Sequence, residues 1–345
     1  MAGPLPQQGR TPSRAALYRH FHRIAWLAVV LTLCVVIFGA FVRLSDAGLS
    51  CPDWPTCYGR AAWPQAPAEV ADHAASQIRP FENHKAWREQ VHRHIAAILG
   101  VLVLSLALLA ARRRRFGPAQ ILGASVLVAA AIPAYMYGHI GAAFALAGAG
   151  QAVLLLAALR WSNVDMARAA ALTLAVIIFQ ALLGKWTVTL LLKPVIVMAH
   201  LMGGLLTFSL LTWMAWSATN VPIRLATAPT VRRWLYAALG VLGLQIALGG
   251  WVSANYAALS CGGGGWAGDA HHYLDFPRCV GQWWPQADFR EGFVLWRGIG
   301  VDYEGGILDG QSRIAIQMAH RMGAVAAFAE AWEIGSTGKR CTLAR

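Results

Sequence analysis

The sequence predicts an all-α polytopic membrane protein with about eight transmembrane helices. Of the 345 residues, 57% are hydrophobic and only 13% are charged, whereas soluble domains carry roughly 25% charged residues. In addition, apolar windows of about 20 residues, the length that crosses a bilayer, recur along the chain. This composition excludes a cytosolic enzyme, a disordered protein and a nucleic-acid-binding protein, in spite of a net charge of +13.

The apolar windows define eight predicted spans. They cover residues 24–43, 92–111, 119–137, 140–159, 169–190, 195–217, 234–254 and 312–329. The basic segment 1–23 leads into the first window without a small-residue cleavage site, so we expect this window to stay as a membrane anchor.

The segments between the spans differ sharply in charge. Residues 1–23, 112–118, 160–168, 218–233 and 333–345 together carry 16 Lys and Arg and two acids, whereas the alternate segments carry eight Lys and Arg and 13 acids. Lys and Arg are enriched in cytoplasmic loops. We therefore predict a bacterial inner-membrane protein with a cytoplasmic N-terminus and with the long loops 44–91 and 255–311 in the periplasm.

An internal repeat relates the two long loops. GAFVRLSDAGLSC (39–51) and GGWVSANYAALSC (249–261) match at a constant offset, WPTCYGRAAWPQ (54–65) resembles FPRCVGQWWPQ (276–286), and EQVHRH (89–94) resembles IQMAHR (316–321). An ordered series of three blocks indicates a duplication and hence two pseudo-symmetric helical halves. We assign the halves to 24–217 and 234–332, joined by a cytoplasmic linker at 218–233 and followed by a polar tail at 333–345.

Four of the six cysteines lie in the outer loops, as the pairs Cys51/Cys57 and Cys261/Cys279. An oxidising outer face favours two disulfides. Free thiols or a metal site are the alternatives.

Three histidines, His92, His200 and His320, are predicted in the outer half of the membrane, with His92 at the start of its helix. Intramembrane ionisable residues are costly unless they are paired or ligating. Imidazoles on neighbouring helices suit the axial positions of haem iron, although a single histidine can also bond a backbone carbonyl. Glu89 lies three residues before His92 on the same helical face, where it can move protons or be a solvated first-turn residue favoured by the helix dipole.

Five segments together resemble the haem A synthase family. They are GLSCPDWPTCYG (48–59), EQVHR (89–93), LLGKWTV (182–188), KPVIVMAHLMGG (193–204) and QMAHRMGA (317–324). The resemblance implies two four-helix bundles related by a pseudo-two-fold axis. It also implies an oxidoreductase that converts the C8 methyl group of haem O to the formyl group of haem A, which terminal oxidases require.

The resemblance also implies roles for individual residues. His92 and His200 match the ligand pair around the substrate haem O, and His320 matches the first ligand of a haem B that relays electrons. Glu89 matches the catalytic carboxylate, and Cys51 and Cys57 match the loop cysteines. The implied partners are a haem O synthase and assembly factors of the terminal oxidase, and a homo-oligomer is compatible with the pattern.

The sequence departs from the family pattern in two places. The spans at about 119–159 form an extra helix pair in the N-terminal half. After the His320 helix the family continues for two more helices, the last of which carries a second C-terminal ligand, whereas AFAEAWEIGSTGKRCTLAR (327–345) is polar. The sequence therefore predicts an incomplete C-terminal half. The alternatives are an inactive truncated family member, a non-enzymatic electron carrier of cytochrome b type and a transporter.

Overall fold

The computed structural model describes residues 19–162, 166–220, 228–262 and 275–343. These residues form helices and irregular loops, with isolated β-bridges only, which confirms the predicted all-α class. A 3₁₀ turn (Pro67–Val70) lies in the first long loop. The α-helices are α1 (Arg19–Leu44), α2 (Ala74–Ile78), α3 (Asn83–Ala111), α4 (Gly117–Met136), α5 (Ile140–Arg160), α6 (Ala167–Thr189), α7 (Pro194–Ser217), α8 (Ala228–Ala254), α9 (Phe289–Gly292) and α10 (Gly310–Leu343).

Seven of these helices, α1 and α3 to α8, are long and apolar enough to cross a membrane. They correspond to the first seven predicted spans. Large apolar side chains on them, such as Leu27 and Val126, are more than half exposed, as expected for surfaces that contact lipid. The chain is a polytopic membrane protein.

Three helices extend at least six residues beyond the predicted spans: α3, α8, which begins at Ala228 rather than at residue 234, and α10. α3 begins at Asn83 rather than at the apolar window, because Lys85, Arg88 and Glu89 lower the hydropathy without disfavouring a helix. The eighth predicted span lies within α10, which has 34 residues and runs through the predicted polar tail to Leu343. Its first turn is capped by Asp309, whose carboxylate accepts from the Ser312 N–H at 2.7 Å. The described part of α10 is more polar than the other seven long helices.

The chain divides into two compact units by its internal contacts. The first comprises residues Met1–Phe38, His92–Phe179 and Gly204–Ile223, and the second comprises Gly39–Val91, Gln180–Gly203 and Arg224–Arg345. The first unit is built around an alanine-rich apolar core from α1, α3, α4, α5, α6 and α7. Ala25, Ala171 and Ala215 are fully buried there, and such small side chains let membrane helices approach closely.

The extra helix pair forms a hairpin within the first unit. Its turn carries the exposed His139. Gly150 of α5 lies so close to α4 that a β-carbon at this position would lie 2.7 Å from the Ala124 carbonyl oxygen. Gln151 Nε2 donates to the Ala175 carbonyl at 2.9 Å and so attaches α5 to α6.

The repeated loops share their local geometry within the second unit. The turn after α1 is closed by a bond from Ala47 N–H to the Val42 carbonyl at 3.0 Å, and the turn after α8 by the equivalent bond from Ala257 to Val252 at 2.9 Å. Cys57 and Cys279 then form matching bridges with Arg60 and Gln282. The glycines of these two tight turns, Gly59 and Gly281, have φ values of 73° and 76°, which favour glycine. The duplication seen in the sequence is thus also a structural repeat.

The two turns also contact each other. Arg43 Nη2 donates to the Ser253 carbonyl at 2.7 Å, and its guanidinium lies 4.1 Å from the centre of the Tyr256 ring. Ser253 is the repeat counterpart of Arg43 itself, and Tyr256 is the counterpart of Asp46. Contacts between counterpart residues are what a pseudo-two-fold relation places near its axis.

The close approach of α4 and α5 can be tested with a matched pair of glycines. We expect Gly150→Ala to destabilise the protein by about 1–3 kcal/mol, because the backbone carbonyl that it meets cannot move aside. Gly148→Ala, on the same helix with open space around the position, should be neutral or stabilising by up to about 1 kcal/mol through helix propensity. Thermal unfolding of the purified variants in detergent measures both, and equal melting temperatures would contradict the packing.

Candidate functional site

The Glu89 carboxyl is buried in the second unit, with only 5% of the residue exposed. The Cys51 backbone N–H donates to Glu89 Oε2 at 2.8 Å. Because α3 begins at Asn83, Glu89 lies in its second turn, where the first long loop covers it. The alternative of a solvated first-turn residue is therefore wrong, since a buried carboxyl group needs hydrogen-bond donors from the protein.

The first long loop is held on α3 by a disulfide and a carboxylate. The Cys51–Cys57 bond closes a six-residue separation, and its sulfurs pack with Ala86, Tyr58 and Phe81. Asp53 accepts from the backbone N–H groups of Tyr58 and Gly59 at 2.6 and 2.8 Å. The loop therefore presents the Cys51 amide to Glu89 from a fixed position. The second pair, Cys261–Cys279, is also a disulfide, so both predicted pairings are confirmed.

Tyr58 belongs to this loop, and its phenol interacts with the charges of Asp53 and Glu89. Burial, followed by the negative charges of Asp53 and Glu89, raises the pKa of the Tyr58 phenol above its usual value of 10.0. The phenol is thus neutral at physiological pH. Sequence analysis did not single out this residue, because its burial depends on how the loop folds.

His92 lies in the first unit, where its ring stacks on Phe38 with the centroids 6.4 Å apart and the planes 12° from parallel. The prediction that His92 begins its helix is wrong, since nine residues of α3 precede it, about 13 Å of helix. His92 is half-buried whereas His94 is exposed, as expected for residues about 200° apart on a helix. Of the two, His92 is the residue that packs against other side chains of the first unit.

His200 lies in the second unit, six residues after Pro194 at the start of α7. A β-carbon at Gly184 of α6 would lie 3.3 Å from His200 Cε1, so the glycine admits the imidazole edge. His200 Nδ1 is buried and has no hydrogen-bond partner in the described part of the chain. A buried nitrogen of this kind is available to a ligand.

A buried lysine anchors the turn that leads to His200. Lys193 is 1% exposed, and its Nζ donates to the Arg297 carbonyl at 2.6 Å and lies 3.5 Å from the centre of the Trp296 ring. Burial lowers the pKa of this amine. The sequence placed Lys193 in a short outer turn but gave no sign that its amine is buried.

His320 is held by α8. Gln245 Nε2 lies 3.0 Å from His320 Nδ1 and 3.1 Å from the His320 carbonyl oxygen, and a β-carbon at Gly249 would lie 3.1 Å from His320 Cε1. The glycine therefore leaves room for the ring. In the sequence, Gln245 is distinguished only as a polar residue within the predicted span 234–254.

These surroundings fit axial ligation of haem iron. Each histidine is partly buried on a membrane helix, and Gly184 and Gly249 leave room for the His200 and His320 rings against the neighbouring backbone. Among the described residues there is no cluster of three or more His, Cys, Asp or Glu side chains that could hold a metal ion. Haem differs from such a site because its iron takes its protein ligands from the axial positions alone.

Comparison with known proteins agrees with this combination of loop and histidines. The sequence matches the cytochrome oxidase assembly protein family (COX15-CtaA) over residues 22–148 and 133–334. It is 33% identical to a haem A synthase of Shewanella oneidensis over 310 residues, which are 88% of this chain and 75% of that protein. The chain belongs to this family.

A shorter match agrees with the assignment to the COX15-CtaA family. A haem A synthase of Oceanobacillus iheyensis is 32% identical over 88 residues, or 25% of this chain and 24% of that protein. No solved structure matches the chain significantly.

The role of the first disulfide in holding Glu89 can be tested against the second disulfide. Loop-closure entropy predicts that Cys51→Ala/Cys57→Ala and Cys261→Ala/Cys279→Ala each lower the free energy of unfolding by about 2–3 kcal/mol. Only the first pair should expose Glu89. Labelling by a hydrophobic carbodiimide, followed by peptide mass spectrometry, should modify Glu89 faster in that variant alone. Equal rates in the two variants would show that the loop does not shield the carboxyl.

Proposed function

We propose that this chain is a haem A synthase that oxidises the C8 methyl group of haem O to the formyl group of haem A. The observation that carries the proposal is the buried Glu89 carboxyl, held by the Cys51 amide one helical turn before His92. Membership of the COX15-CtaA family and the similarity to the Shewanella oneidensis haem A synthase support it. A simple electron carrier gives no reason for a carboxyl group held in this way.

The proposed sites divide between the two halves of the repeat. His92 and His200 would hold the substrate haem O, and His320 would bind a haem B. The iron of a bound haem supplies the redox chemistry. The helices contribute apolar surroundings that exclude water, while the glycines beside His200 and His320 let each ring stand close to the neighbouring backbone.

The protein's chemical task is the handling of protons. Converting a methyl to a formyl group, balanced with water as the oxygen donor, releases four electrons and four protons. A haem B held by His320 would supply the one-electron chemistry that passes these electrons to a membrane electron acceptor. Glu89 would take up the protons, because a buried carboxyl fixed by a backbone N–H acts as an acid–base group without reorganisation.

The proposal includes a location and partners. The charge distribution of the loops supports a bacterial inner membrane with a cytoplasmic N-terminus, so the Glu89 site would face the periplasm. A haem O synthase would supply the substrate, and assembly factors of a terminal oxidase would receive the product. Self-association of the chain is a further part of this proposal.

The proposal is tested by extracting haem from membranes of cells that express the chain together with a haem O source. We expect haem A to accumulate with the wild-type chain, and at least a hundredfold less with Glu89→Gln, because loss of a general acid–base group costs about 10²–10⁴-fold. His92→Ala should also lower haem A formation, because it would remove a ligand of the substrate haem. The measurement is chromatography of the extracted haems.

Glu82→Gln is the matched control for Glu89→Gln. Glu82 is a carboxylate of the same loop that pairs with Lys85 at 2.8 Å and is 42% exposed, so haem A formation should persist when it is neutralised. Accumulation of only haem O and haem B with the wild-type chain would contradict the enzymatic proposal and favour an electron carrier of cytochrome b type.

A further inference from the structure

The amide of Gln245 has a fixed orientation toward His320. Its Nε2 lies within hydrogen-bond distance of both His320 Nδ1 and the His320 carbonyl oxygen. A carbonyl oxygen can only accept, so the amide nitrogen rather than the amide oxygen must face it. Gln245 Oε1 points the other way and is buried without a partner among the described residues. It lies against Gly323, where a β-carbon would be 2.3 Å from this oxygen.

This orientation determines the tautomer of the His320 ring. Because Gln245 Nε2 donates, His320 Nδ1 must accept, and the proton of the neutral imidazole then resides on Nε2. Iron ligation through Nε2 requires the opposite tautomer, in which Nδ1 carries the proton and donates it to an acceptor. The arrangement in this structure therefore holds the ring in the form that does not ligate through Nε2.

The amide is specific to the second copy of the repeat. The counterpart of Gln245, 210 positions earlier, is Val35, which packs against the apolar core of the first unit. Similarly, Gln317 precedes His320 by three residues, as Glu89 precedes His92. The second copy thus has amides where the first has a valine and a carboxyl. Val35 offers no hydrogen bond, whereas the Gln245 amide contacts both the ring and the carbonyl oxygen of His320.

We propose that Gln245 is a positioning residue that sets the tautomer of His320 and turns its amide when the ring ligates. Before ligation Nε2 of Gln245 donates to Nδ1. With Nε2 bound to iron, the imidazole proton would reside on Nδ1, and the rotated amide would accept a hydrogen bond from Nδ1–H through Oε1, giving up the bond to the His320 carbonyl. The ligated ring is then bonded to a neutral acceptor and remains an imidazole without imidazolate character. This inference rests on the proposed haem B site.

The first test needs no haem. Nitrogen-15 NMR of the histidine rings in the purified full chain, with His320→Ala assigning the signal, should show His320 as the Nε2–H tautomer. Gln245→Leu should give a mixture of tautomers. Gln151→Leu removes an equivalent intramembrane amide and should leave the signal unchanged. An Nδ1–H tautomer in the wild type, or no change in Gln245→Leu, would overturn the inference.

The second test measures the midpoint potential of haem B bound to the purified chain. A stronger acceptor on Nδ1 stabilises the ferric state, so Gln245→Glu should have a lower potential than the wild type, and Gln245→Leu a higher one. Gln151→Leu should match the wild type. Identical potentials in the wild type and both Gln245 variants would overturn the role in the ligated state.

The two tests separate the inference from the function on which it rests. If haem B binds to neither the wild type nor any variant, the proposed haem B site fails, and the NMR result still decides whether Gln245 sets the tautomer. If haem B binds equally to the wild type and to His320→Ala, His320 is not its ligand, and the NMR result again decides whether Gln245 sets the tautomer. A shift of potential in the predicted order supports both.

Discussion

The hydrogen bond from the Cys51 amide to Glu89 connects most features of the first long loop and the start of α3. It requires the disulfide to Cys57, because only a closed turn presents this N–H in one place, and it requires α3 to begin at Asn83, so that Glu89 is already inside a helix. The Asp53 carboxylate in turn organises the loop through its own backbone donors. Burying a carboxyl group costs free energy. These elements together position the Cys51 N–H, whose hydrogen bond offsets part of that cost.

The duplication explains how one architecture can hold two different sites. Both copies have a turn with the same backbone bonds, a disulfide loop, and a helix with a histidine against the neighbouring helix. They differ in the polar groups near that histidine: a carboxyl in the first copy, amides in the second. A carboxyl group can exchange protons whereas an amide cannot, and the different roles proposed for the two copies rest on this chemical difference. The contact of Arg43 with Ser253 ties the two turns together.

Glycine has a specific use at two of the histidines. Gly184 and Gly249 each lie where a β-carbon would press on the Cε1 atom of His200 or His320. At these positions the absent side chain makes room for a ring rather than for a backbone turn. Glycines are common in membrane helices, and the sequence alone does not distinguish these two from Gly148 or Gly240, around which the structure leaves open space.

The sequence by itself determined the helical class, seven of the spans to within a few residues (apart from the starts of α3 and α8), both cysteine pairs and the repeat. Hydropathy and loop charge are constrained directly by the bilayer. A duplication keeps the order of its motifs along the chain, so it can be detected from the sequence. The tertiary structure decided the rest: the earlier start of α3, the continuation of α10, the burial of Glu89 and Lys193, and the bonds of Gln245 to His320. These features depend on contacts between elements that are far apart in sequence. Residue type and spacing do not specify such contacts.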